Sequence, residues 1–141
     1  MSHPPGIPPP APPRGTWLRA LGFGGALVVG LTATVTPEAA TWFGLRGPDC
    51  LLGRCFGPLA CPGCGLVRST AAALQGEPGF AVALHPAGPV VALVLVGGLL
   101  LDLDVLRRRV ESATHRCWRR AGVRLFTVAV LVGWAARCFS P

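Results

Sequence analysis

The chain has 141 residues, of which 51% are hydrophobic and only 13% charged, with a net charge of +7 and a mean hydropathy of +0.53. That is about one domain's length at roughly half the charge of a soluble domain, which excludes water as the main solvent of the fold. Every basic residue is arginine. Their clustering beside apolar runs fits membrane topology and contact with anionic lipid headgroups, and no nucleic-acid-reading motif accompanies them, so membrane lipids are the expected partners and nucleic acid is not.

Residues 2 to 13 contain seven prolines, and each ring removes a helix donor and clashes with the preceding turn. Residues 1–16 therefore read as a disordered, Pro-rich cytoplasmic tail. Arg14 and Arg19 precede an uncharged run from Ala20 to Thr36, with Trp17 at its start and Pro37 at its end. This predicts a first transmembrane helix over 17–37. A cleaved signal peptide fits less well, because Glu38 sits just before the best small-residue stop, at Ala40.

Residues 38–85 form a cysteine-rich loop whose Trp42, Phe43, Leu51, Leu52 and Phe56 keep it against the membrane. Within it, Leu66 to Gln75 lacks proline and glycine and predicts a short interfacial helix over 66–75 ending near Gly76. Pro86 and Pro89 suit the first turn of a helix, which places a second transmembrane helix over 86–106 with His85 and Pro86 at its cap. Asp104 lies at helical spacing from Arg107 and Arg108, which makes the carboxylates inexpensive in the headgroup zone.

Seven arginines against three acids lie between Asp102 and Arg124, so 107–120 is a basic cytoplasmic segment. The last apolar stretch predicts a third helix over 121–137, spanning if Arg124 and Arg137 snorkel and interfacial otherwise. The fold class is thus all-α: a multi-pass protein of the inner (cytoplasmic) membrane with two or three transmembrane helices. Its N-terminus is cytoplasmic and its cysteine loop extracytoplasmic.

The chemistry concentrates in Cys50, Cys55, Cys61 and Cys64. Cys61 and Cys64 enclose Pro62-Gly63, a spacing that suits a disulfide, a reactive thiolate at a helix start, or half of a tetrahedral zinc site. An outward loop meets an oxidising compartment, which favours disulfides stapling the loop. No cofactor is expected, with zinc on the four thiols as the alternative. In the redox alternative Cys61 attacks, Cys64 resolves, and Arg68 favours the thiolate. Arg68 otherwise contacts a lipid headgroup or another anion, or pairs with Asp49 or Glu77.

The segment Cys61-Pro62-Gly63-Cys64-Gly65-Leu66-Val67-Arg68 resembles the bacterial membrane-protein family called domain of unknown function 2752. Its members typically carry Cys-Pro-x-Cys-Gly-x-Thr-Arg, a small-residue helix, a Gly-Asp or Gly-Glu step and an Asn-Pro heading a long membrane helix. Cys61, Pro62, Cys64, Gly65, Arg68, Gly76, Glu77 and Pro86 match, over approximately residues 50 to 105. Val67 stands where threonine is usual, and His85 where asparagine is. The resemblance implies membrane location and a cysteine motif, and it supplies no reaction. The expected function is a non-enzymatic scaffold or partner subunit, joining a membrane protein partner or forming a homo-oligomer. The alternatives are a membrane thiol-disulfide oxidoreductase and a metal-binding module.

Overall fold

A computed structural model describes residues 15–46, 63 and 65–139. Most of the proline tail, residues 47–62 and Cys64 fall outside the described residues. In chain order the elements are α1 (Thr16–Thr32), β1 (Thr34–Val35), β2 (Ala40–Trp42), β3 (Leu45–Arg46), α2 (Leu66–Leu74), α3 (Pro78–Leu84), α4 (Gly88–Arg108) and α5 (Ala113–Phe139).

Helices dominate, but the helical reading omitted a small antiparallel sheet of order β1-β2-β3. The uncharged run that reads as helix to residue 37 leaves the helix at Thr32. Thr34, Val35 and Thr36 are β-branched, and Pro37 biases Thr36 toward extended backbone. Thr34 then pairs with Thr41 and Val35 with Ala40. The Thr36 backbone N–H donates to Ala39 O at 2.8 Å, and the Ala39 N–H donates to the Thr36 hydroxyl at 3.0 Å, which closes the first turn.

The second turn is Phe43-Gly44, with φ of 50° and 81°. Positive φ at both central residues matches the twist of a two-residue hairpin. Here a bulky residue occupies a position that normally favours asparagine. The Phe43 side chain is almost wholly exposed.

The long helices α1, α4 and α5 run antiparallel in succession. Arg19 near the start of α1 reaches Asp102 near the end of α4, and the Phe23 ring lies over Gly98 so closely that a Cβ there would come within 2.8 Å of it. Gly122 of α5 faces Val94, and Gly133 lies against His85 and Ala87 at the head of α4. The helices α2 and α3 pack across that head.

At 21 and 27 residues, α4 and α5 rise about 32 and 40 Å, enough for a hydrocarbon layer of roughly 30 Å. Their most apolar windows have mean hydropathies of 2.2 and 1.5, which makes both long and apolar enough to cross a membrane. The 17 residues of α1 rise about 26 Å. α5 reaches its length because the basic segment is not a separate linker. Its helix begins at Ala113, since arginine is a good helix former. Ser112 supplies the start: its hydroxyl accepts the His115 N–H at 3.3 Å, while His115 Nδ1 accepts the Ser112 N–H at 3.3 Å.

The side chains on α4 and α5 that would form a soluble core instead point away from the protein. Leu93, Leu100, Val123, Leu125, Val128, Leu131 and Val132 are all exposed.

The tightest crossing is between α2 and α4, where a Cβ on Gly88 would fall 1.8 Å from the Ser69 hydroxyl oxygen and 2.8 Å from its backbone carbon. Gly88→Ala should therefore destabilise the purified protein by about 1–3 kcal/mol, because backbone as well as side chain must move. Gly97→Ala meets nothing within 4 Å and should leave the thermal midpoint in detergent unchanged or slightly raised.

Candidate functional site

Two polar layers close the bundle. The first surrounds the head of α2, where the cysteine motif joins the helix. Cys50, Cys55, Cys61 and Cys64 lie outside the described residues, so the site is built from the glycines and polar groups around them. The Leu66 N–H donates to Gly63 O at 3.0 Å and the Ser69 N–H to Gly65 O at 2.8 Å. Both motif glycines thus sit at the first turn of α2. Gly65 holds φ at 84°, and a Cβ there would come within 3.0 Å of the Leu84 carbonyl oxygen. Conformation and close approach both demand glycine after Cys64.

Ser69, one residue beyond the motif, is completely buried. Its hydroxyl oxygen lies 2.6 Å from Ala81 O and 2.7 Å from His85 O, so its single proton is shared between two carbonyls at the end of α3. Ser69 therefore locks α2 to α3 and, through Gly88, to α4.

His85 is also fully buried. It ends α3, and its Nδ1 accepts the Ala87 N–H at 3.2 Å, which places the proton of a neutral ring on Nε2. Ala87 is the residue that caps α4, so the histidine reaches that cap from two residues away. Pro86 is exposed in the turn between the two helices.

Three more polar side chains of this layer bond to backbone, while the buried Thr70 hydroxyl does not. Arg68 donates to Pro37 O in the β1–β2 turn. Gln75 Nε2 donates to Gly30 O at 2.9 Å and Ala33 O at 2.7 Å, and Trp42 Nε1 donates to Val29 O at 2.8 Å. These bonds satisfy carbonyls that the end of α1 would otherwise leave open. Among the described residues, no group of three or more His, Cys, Asp or Glu side chains could hold a metal ion.

The second layer, at the opposite end, was not legible as a site. The sequence reading put Asp102 in the headgroups as an inexpensive carboxylate, yet its side chain is only 2% exposed. Arg19 of α1 approaches it at 3.4 Å and Arg119 of α5 at 3.8 Å, and Arg119 also contacts Glu111 at 2.6 Å. Two carboxylates thus face two guanidiniums where the three long helices meet. The available signal was helical periodicity: Gly88, Val91, Ala92, Asp102 and Val105 form the buried stripe of α4. Asp104, on the neighbouring face, takes a bond from Arg108 at 2.8 Å, as its spacing suggested. It takes another from His115 Nε2 at 2.9 Å, across the α4–α5 connection.

Replacing Asp102 by Asn removes the charge that both arginines face. Arg19 and Arg119 are each about a third exposed, so water absorbs part of the loss, and the expected destabilisation is about 1–2 kcal/mol. Unfolding in detergent measures it, with Arg107→Gln, at an exposed site, expected to show no change.

The sequence model of a family described as a protein of unknown function, DUF2752, matches residues 50–99. The match runs from the cysteine loop through α2 and α3 into the first half of α4. No curated protein and no solved structure matches the chain.

Proposed function

We propose that the chain is a member of the DUF2752 family, whose model matches residues 50–99, and that it is a multi-pass inner-membrane protein acting as a non-enzymatic scaffold or partner subunit. α1, α4 and α5 cross the bilayer, and the cysteine loop is held outside on a platform made by α2, α3 and the sheet. The observation that carries the membrane reading is the outward apolar surface of α4 and α5, which none of the described residues covers. Exposed Trp17 and Trp118 lie near the level of Arg19 and Arg119, while exposed Phe43 and Phe139 mark the other end, as interfacial aromatic belts do. The arginines at the α4–α5 connection put that end in the cytoplasm.

The scaffold reading is supported by how the loop-end polar groups are used. Arg68, Ser69, Gln75, Trp42 and His85 each bond to backbone of a neighbouring element or turn. Their work is to fix the base of the loop. Arg68 grips the hairpin turn through one guanidinium nitrogen, and its other nitrogens keep the headgroup or anion contact as part of the proposal. A second reading, thiol–disulfide exchange at Cys61 and Cys64, is favoured by the position of Gly63 and Gly65 at the head of α2, whose open N–H groups stabilise a thiolate. Zinc held by the four cysteines is the third.

Cys117 and Cys138 are both exposed, and 21 residues of helix separate them by about 32 Å. With each as the sole cysteine, a membrane-impermeant maleimide should label Cys138 in intact cells and Cys117 only after permeabilisation. Labelling of both from one side, or recovery in the soluble fraction, would refute the topology. In the full chain, Cys61→Ser and Cys64→Ser should each lower abundance. Normal abundance with thiols that follow the cellular redox state would favour the oxidoreductase, and labelling unmasked by chelation would favour zinc.

A further inference from the structure

The connection between α4 and α5 opens into a groove of about 500 Å³ lined by Glu111, Arg116, Arg119, Arg120, Val123 and Arg124. Arg116, Arg120 and Arg124 recur every four residues and so share one face of α5 over about 12 Å. The acids nearby are already committed. Glu111 contacts Arg119 at 2.6 Å and its carbonyl lies 3.4 Å from Arg116 Nη1, and Asp102 lies between Arg19 and Arg119. Arg120 and Arg124 have no acidic partner among the described residues. Four guanidiniums against one carboxylate leave the groove strongly positive.

The groove also stops where water should stop. Val123 lines it, and farther along the same side of α5 lie Phe126 and Leu131, both exposed. A ligand seated here would meet paired N–H forks at one end and a bare hydrocarbon face at the other. Planar guanidiniums suit phosphate oxygens, and the adjoining apolar face suits acyl chains.

We propose that this groove is a binding site for a phosphate-bearing anionic headgroup, presented by a phospholipid of the leaflet that α5 enters here. Arg120 and Arg124 grip the phosphate, Arg116 and Arg119 supply the surrounding field, and the chains lie along Val123, Phe126 and their neighbours. The inference rests on the membrane reading, and it assigns α5 a specific lipid in place of a general attraction to negative surfaces.

The test uses the full chain reconstituted in vesicles of phosphatidylcholine with phosphatidylglycerol, extracted in uncharged detergent and examined for retained lipid by native mass spectrometry. The wild type should retain phosphatidylglycerol in preference to phosphatidylcholine. Arg120→Gln with Arg124→Gln should lower that preference about tenfold, a few-fold for each arginine at a charged surface. Arg107→Gln with Arg109→Gln removes the same charge outside the groove and should change it less than about twofold. Equal losses from the two pairs, or no loss from the first, would overturn the proposal. Millimolar inorganic phosphate should leave the lipid in place, and its complete displacement would mean that free phosphate is the ligand and would overturn the lipid assignment. Carbonate-washed membranes should retain all the proteins. Release of the wild type would instead defeat the membrane reading itself.

Discussion

A carboxylate buried among three apolar helices must be neutralised where it stands, and Asp102 is met by Arg19 from α1 and Arg119 from α5. No two of the long helices can slide past each other without drawing one of these charges away from its partner. The polar contacts between elements fall into two layers, this one and the layer at the head of α4, some 15 residues or about 22 Å apart along that helix. Between them the helices meet through glycine and apolar side chains, as at Phe23 over Gly98 and Val94 beside Gly122. In the bilayer that we propose, packing lacks a water-driven term and needs such close approach, which small residues permit.

The layer at the loop end solves a different problem. Short helices and a three-stranded sheet have many unpaired backbone groups for their size, and in an apolar setting each open carbonyl is expensive. Gln75, Trp42 and Arg68 supply donors to carbonyls of α1 and the hairpin turn, and Ser69 supplies one to α3. The family-matched segment contains three of these four donors. It is therefore a clamp as well as a cysteine-bearing strand of chain. Rigidity at its base would serve a displayed surface, a disulfide or a metal equally, because each requires fixed positions.

Much of this architecture could be read from residue order, and the rest for identifiable reasons could not. The apolar runs disclosed α4 and the apolar part of α5, since hydropathy needs no neighbour to interpret it. The end of α1 was hidden because Ala20 to Thr36 is uniformly uncharged, so nothing in composition marks where helix yields to strand. Only the β-branched residues and Pro37 hint at it. The second hairpin turn was hidden because Phe43 occupies the position where asparagine would have announced it. Asp102 was misjudged for a deeper reason. Its partners come from positions 83 residues earlier and 17 residues later, and a single sequence cannot report that such positions converge. For the cysteines the sequence named the residues and the neighbouring helix start, and the choice among disulfide, thiolate and metal turns on sulfur positions outside the described residues.

The early end of α1 has a consequence for where the chain can lie in a bilayer. A helix of 17 residues is about 4 Å shorter than the hydrocarbon thickness, and a terminus left below the headgroups would ordinarily drag water inward or thin the lipid. Here the carbonyls of Val29, Gly30 and Ala33 receive donors from Trp42 and Gln75. In the proposed topology the hairpin and α2 can consequently sink with the terminus, which sets the base of the cysteine motif, at Gly65, below the headgroup level instead of above it.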